Sequence, residues 1–152
     1  MENQFWLFGI HRTIIADGGH TDLRYDLVEG TSLYGSETPS HIHGQYDELI
    51  YILEGELTIY THKEVMVLRP CEFYFIPMGT PHALSITGNS LTRTLTTFSP
   101  AGFAEVISAV GIPGSKDAVP TASVNMELFG KLSNAIGDIT LGPPGSRPEL
   151  EE

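Results

Sequence analysis

The sequence predicts an all-β fold, a closed barrel or double-sheet sandwich, followed by a short C-terminal helical extension. Three observations carry this. Short apolar or alternating runs recur at 10–16, 20–29, 38–43, 47–53, 56–61, 64–69, 72–76, 81–87 and 90–98. Gly, Pro, Asn and Asp separate them, which is the spacing of many short strands. After residue 98 the period changes to a helical one.

The punctuation places each element. Asp17-Gly18-Gly19 predicts a hairpin turn. Thr61-His62-Lys63-Glu64 turns between the runs 56–61 and 64–69. Pro39, Pro70, Pro77 and Pro81 fall at strand ends, where a missing amide donor does little harm. Ser99-Pro100-Ala101-Gly102 opens a helix through 103–110, and Gly111 and Pro113 end it. A loop spans 112–122. Met126, Leu128, Phe129, Leu132 and Ile136 then mark a second helix over 123–136. The expected organisation is one domain: a β-barrel over 1–98, a helical extension packed on it over 99–141, and an irregular tail over 142–152.

Hydrophobic residues at 41% and charged residues at 18% fit a soluble globular chain. No run of apolar residues is long enough for a membrane helix, and the start has no basic segment before an apolar one. Cys71 stands alone, so it forms no internal disulfide, and a cytoplasmic location is expected. Eight basic against nineteen acidic residues give a formal charge of −11. That disfavours nucleic acid and anionic membranes as partners. It also disfavours a highly anionic substrate, unless a metal or a local arginine reverses the field.

One segment carries chemistry. In Ser40-His41-Ile42-His43-Gly44-Gln45-Tyr46-Asp47-Glu48, the two histidines alternate with Ile42. In a strand both imidazoles then point to one face, which must be the interior if both reach one ion. Residues 44–47 can turn the chain and return Glu48 to the same point. Asp47, its neighbour, would face the other way. His82 follows the Pro77-x-Gly79-x-Pro81 turn. Three neutral imidazoles and one carboxylate suit a divalent first-row ion: Mn, Fe, Co, Ni, Cu or Zn. An octahedral ion would keep two positions open for a substrate oxygen, water or O₂. The second ring nitrogens should donate to backbone or carboxylate partners. His11, His20 and His62 read as structural.

These residues resemble the cupin superfamily. Its first motif, Gly-x5-His-x-His-x4-Glu-x6-Gly, matches at Gly35, His41, His43, Glu48 and Gly55. The second, Gly-x5-Pro-x-Gly-x2-His-x3-Asn, matches at Pro77, Gly79 and His82, with Cys71 in place of its glycine and Ile86 in place of its asparagine. The resemblance covers about residues 20–98 and implies a jelly-roll, or double-stranded β-helix, barrel. The flanks Phe5-Trp6-Leu7-Phe8-Gly9, Phe98-Ser-Pro-Ala-Gly-Phe103 and Leu141-Gly-Pro-Pro look similar to single-domain cupins related to quercetin 2,3-dioxygenase. In that group the resemblance implies a metal-bound enolate or flavonolate reacting with O₂.

The expected activity is therefore a metal-dependent dioxygenase of the quercetinase type acting on an enol or phenol small molecule. Glu48 would be both ligand and general base. A non-oxidative isomerase, cyclase or decarboxylase, and a non-enzymatic small-molecule-binding cupin, are the competing readings. Phe73, Tyr74, Phe75 and Ile76 should place about half their side chains on the pocket side. The apolar start at Phe5–Phe8 suits burial against a second copy, so a homodimer is expected.

Overall fold

The computed structural model describes residues 2–152. The chain opens with β1 (Gln4–Leu7), β2 (Ile10–Ala16), a one-turn helix α1 (Gly18–Thr21) and β3 (Asp26–Ser32). It continues through β4 (Pro39–His43), β5 (Asp47–Glu54), β6 (Leu57–Thr61), β7 (Val65–Leu68), β8 (Phe73–Ile76), β9 (His82–Ser85) and β10 (Thr92–Ser99). The extension contains α2 (Phe103–Val110), β11 (Ile112–Pro113), α3 (Met126–Ala135) and β12 (Asp138–Pro144). Two antiparallel sheets result, ordered β11-β1-β2-β3-β10-β5-β8 and β12-β4-β9-β6-β7, a jelly roll as expected.

Strand alternation selects what lies between the sheets. On β5, Glu48, Ile50 and Ile52 are buried together, so the carboxylate occupies an interior position in line with two isoleucines. The apolar interior falls into two clusters. Ile50, Ile52, Leu57, Ile59, Leu68, Ile76 and Ile86 fill one end of the barrel. Phe5, Leu7, Ile14, Val28, Tyr46, Phe98, Phe103 and the inner face of α2 fill the other. Leu128, Phe129, Leu132 and Ile136 of the α3 region pack against that second cluster. Each fully buried aliphatic side chain contributes on the order of 2 kcal/mol.

A buried carboxylate fixes the junction between barrel and extension. Asp26 on β3 accepts from the amides of Gly102 and Ala104, both at 2.9 Å, and so satisfies the free donors at the start of α2. That docking sets Phe103, the first residue of α2, against the barrel interior.

Several expectations need correction. Residues 17–19 do not make a hairpin turn. The Asp17 side chain accepts from the Gly19 and His20 amides and caps α1 instead. The strand expected over 20–29 therefore starts only at Asp26 and runs to Ser32. The extension is not purely helical, and the tail is not irregular from 142. Strand β12 runs through Pro144 and pairs along β4. Of the apolar start, Phe5, Trp6 and Leu7 are buried within their own chain, while Phe8 is exposed. Phe73 and Phe75 face outward, at 61% and 48% exposure, and none of Phe73–Ile76 lines the internal cavity.

The glycine position of the second motif is a left-handed one. Cys71 occupies it at φ 70°, where a side chain costs about 1–2 kcal/mol. Its amide donates to the Ile52 carbonyl at 2.9 Å, which holds the conformation in place. Cys71→Gly is expected to stabilise the protein by about 0.5–1 kcal/mol, since relief of the strain exceeds the added unfolded-state entropy. Chemical denaturation checks this; an unchanged or lower midpoint would show that the site carries no strain.

Candidate metal centre

The site lies between the two sheets and between the two apolar clusters. His41 and His43 come from β4, His82 from the first position of β9, and Glu48 from the facing sheet. His41 and His82 are direct register partners, which brings their ring centroids to 4.2 Å with the planes tilted by 56°. The turn after β4 is held by Gly44, whose amide donates to Gly137 O at 2.9 Å. A Cβ on Gly44 would meet that oxygen at 2.8 Å, so the approach requires glycine. Asp47 faces away, as alternation requires, and accepts from the Met78 amide at 2.8 Å. It thereby anchors the 77–81 turn that delivers His82.

One ligand atom from each of His41, His43, Glu48 and His82 lies within 4.8 Å of the others, and the group is able to bind a metal ion. His43, Glu48 and His82 are buried and His41 is partly so. Each imidazole is oriented from behind. His41 Nδ1–H donates to Pro39 O at 2.7 Å, and His82 Nδ1–H donates to Thr80 O at 2.9 Å. His43 Nδ1–H donates to the Asp138 carboxylate at 2.7 Å. Carbonyls accept only, so the tautomers of His41 and His82 follow: both Nε2 atoms carry lone pairs toward the centre. The expected second-nitrogen partners are thus Pro39, Asp138 and Thr80.

The donor set fits a cation. Glu48 Oε2 lies 3.0 Å from His43 Nε2 and 3.2 Å from His82 Nε2. Those are separations of adjacent donors around an ion with bonds of about 2.1 Å. A neutral His82 opposes its lone pair to a carboxylate oxygen, an arrangement that a shared cation relieves. The electrostatics agree. Burial and the neighbouring His82 and His43 rings push His41 down to about 4. Burial alone would lower His43, but Asp138 and Glu48 on its two nitrogens raise it to about 9. Burial would raise Glu48, but His43 and His82 hold it well below the usual carboxylate range.

Asp138 was not anticipated. It opens β12 directly across from His43, and its Oδ1 also accepts from Tyr46 OH at 2.6 Å. Tyr46 in turn stacks on His43 with ring centroids 4.5 Å apart. His11, His20 and His62 lie outside the group. His11 is buried and hydrogen-bonds Gly114 O at 3.0 Å, while His20 pairs with Asp17 in the capping box of α1. Ile86, standing for the motif asparagine, joins the upper apolar cluster.

The centre opens into a cavity of about 100 Å³. His41, His43 and Glu48 line it together with Ile50, Leu57, Leu84, Ile86, Thr96, Phe98 and Phe103. A family profile described as Cupin domain matches residues 28–98, a span holding all four donors. Residues 28–98 thus carry a match to the cupin domain. The quercetin 2,3-dioxygenase of Bacillus subtilis is 27% identical to this chain over 104 residues, 68% of this chain and 30% of that protein. This chain therefore spans less than a third of that relative's length. The polyketide cyclase RemF of Streptomyces resistomycificus superposes with a TM-score of 0.53 at 25% identity, covering 60% of this chain and 65% of that one. A protein from Thermotoga maritima described as a predicted oxalate decarboxylase superposes at 0.57 and 18% identity, covering 60% and 80%; it shows the fold.

His43→Ala is expected to leave the purified protein largely without metal, as measured by elemental analysis; undiminished metal content would remove His43 from the site. Asp138→Ala should weaken metal affinity by about 10–100-fold, because it frees the His43 ring and its tautomer. Metal titration against a competing chelator reads this; unchanged affinity would mean that Asp138 serves the β4–β12 pairing alone.

Proposed function

We propose that this chain is a metal-dependent enzyme acting on the enol or phenol oxygen of a small molecule, with O₂ as second substrate in the manner of the quercetinases. The observation that supports it is the convergence of three imidazole nitrogens and one carboxylate at one point, where His41, His43 and Glu48 line a small cavity. A bound first-row ion would supply Lewis acidity, lowering the pKa of a substrate hydroxyl and raising electron density for attack on O₂.

The chain's own residues do the rest. His41, His43 and His82 would hold the ion through Nε2. Glu48 uses Oε2 toward His43 and His82, while its Oε1 has no hydrogen-bond partner among the described residues. That free oxygen is placed to accept the proton of a substrate hydroxyl entering the cavity. Ile50, Leu57, Phe98 and Phe103 keep bulk water from the reacting end. About 100 Å³ is the volume of roughly three water molecules, well below the pocket of a drug-sized ligand. The small space next to the centre favours a compact enol or the reactive end of a larger molecule. The likeness to the polyketide cyclase supports a second reading, non-oxidative chemistry at the same ligands.

Turnover of an enol and phenol panel by metal-loaded protein, with and without O₂, separates the two. The proposal expects O₂ uptake matched to substrate loss, and no turnover under nitrogen. Equal turnover in both conditions would assign the chemistry to a cyclase, isomerase or decarboxylase. Glu48→Gln should abolish uptake even when metal is supplied in excess.

A further inference from the structure

Arg12 is the one lysine or arginine lining the cavity. It sits on β2, where alternation places it inward between Ile10 and Ile14, with Gly30 of β3 as its register partner. Its Nε is shielded from solvent and has no hydrogen-bond partner. Among the described residues its guanidinium makes no hydrogen bond and no ion pair at all. The other two charged residues lining the cavity are accounted for. Glu37 pairs with Arg147 at 2.9 Å, and Glu48 is engaged by two histidines. What does hold Arg12 is the ring of Phe103, whose centroid lies 5.7 Å from the guanidinium carbon.

A guanidinium whose Nε is shielded and unpartnered at a partly buried position is costly, and it persists where something compensates it. Glu48 offers it charge attraction without a hydrogen bond, and a divalent ion at the four donors would cancel that. A loaded centre would therefore leave the cavity with an excess of positive charge. The chain carries −11 overall, but charges on its outer surface are screened beyond about 8–10 Å of electrolyte. With the centre loaded, the interior field and the exterior field would have opposite signs. A planar fork of unused N–H donors matches a carboxylate bidentately.

We infer that Arg12 is a specificity-determining residue that binds the carboxylate of a small keto- or enol-acid whose oxygen sits at the histidine–glutamate centre. This rests on the metal-site reading for the second point of attachment, and it narrows the substrate from enols in general to anionic ones. The cavity volume suits an acid of a few carbons.

The test measures binding to the full-length, Zn(II)-loaded chain by calorimetry. The probes are three oxo-acids, pyruvate, acetoacetate and 4-oxopentanoate, each beside its neutral methyl-ketone analogue, butane-2,3-dione, pentane-2,4-dione and hexane-2,5-dione. The wild type should bind at least one acid about tenfold or more tightly than its analogue. Arg12→Gln should bring that ratio close to one with Zn(II) content unchanged. Arg12→Lys, which keeps the charge and loses the fork, should retain part of it and serves also if the glutamine variant folds poorly. A ratio that survives in both variants, or no preference for any acid in the wild type, overturns the assignment. Repeating the titrations without Zn(II) keeps the two readings apart. An acid preference that persists there and still needs Arg12 supports this inference even if the chain fails to take up metal.

Discussion

Four polar groups that water would ordinarily solvate meet at one point between two sheets, three of them buried and His41 partly so, and the surrounding structure is arranged to make that tolerable. Burial of a carboxylate costs several kcal/mol unless it is paired. Glu48 accepts from the His43 ring and faces the His82 Nε2 lone pair, an opposition that a bound cation would relieve, and each imidazole in the group is secured on its other nitrogen by a carbonyl or a carboxylate. No member can turn without stranding its partner. The apolar clusters above and below exclude the water that would otherwise relieve the strain of that arrangement.

The C-terminal extension takes its place in this logic. Strand β12 adds to the edge of the sheet beside β4 and brings Asp138 against His43. Helix α2, capped by Asp26, brings Phe103 into the cavity and onto Arg12. The barrel supplies the four donors; the extension orients one of them and shapes the space in front of it. Residues beyond 98 are thus part of the site.

The donors were legible because they obey local rules. Two histidines separated by one residue share a strand face, and a turn of four residues returns the glutamate. The left-handed conformation at the second motif's glycine position was not read from the sequence; Cys71 holds it despite its side chain. Asp138 was not legible, because its role depends on a pairing between residues far apart in sequence and on the Gly137 turn, which no local pattern announces. Arg12 was visible in principle: a cation at an inward position of the alternating run 10–16 contradicts its surroundings. The segment 17–29 was misread because Asp17-Gly-Gly serves equally as a hairpin turn or a helix cap, and the His20 side chain decides for the cap by completing the box.

The central claim is that His41, His43, Glu48 and His82 together hold one metal ion. Anomalous diffraction from crystals of the Zn(II)- or Mn(II)-loaded protein tests it most directly. The account predicts one strong peak per chain, bonded to Nε2 of the three histidines and to Glu48 at about 2.1 Å. A peak elsewhere, coordination through Nδ1, or a site lacking any of the four would contradict it.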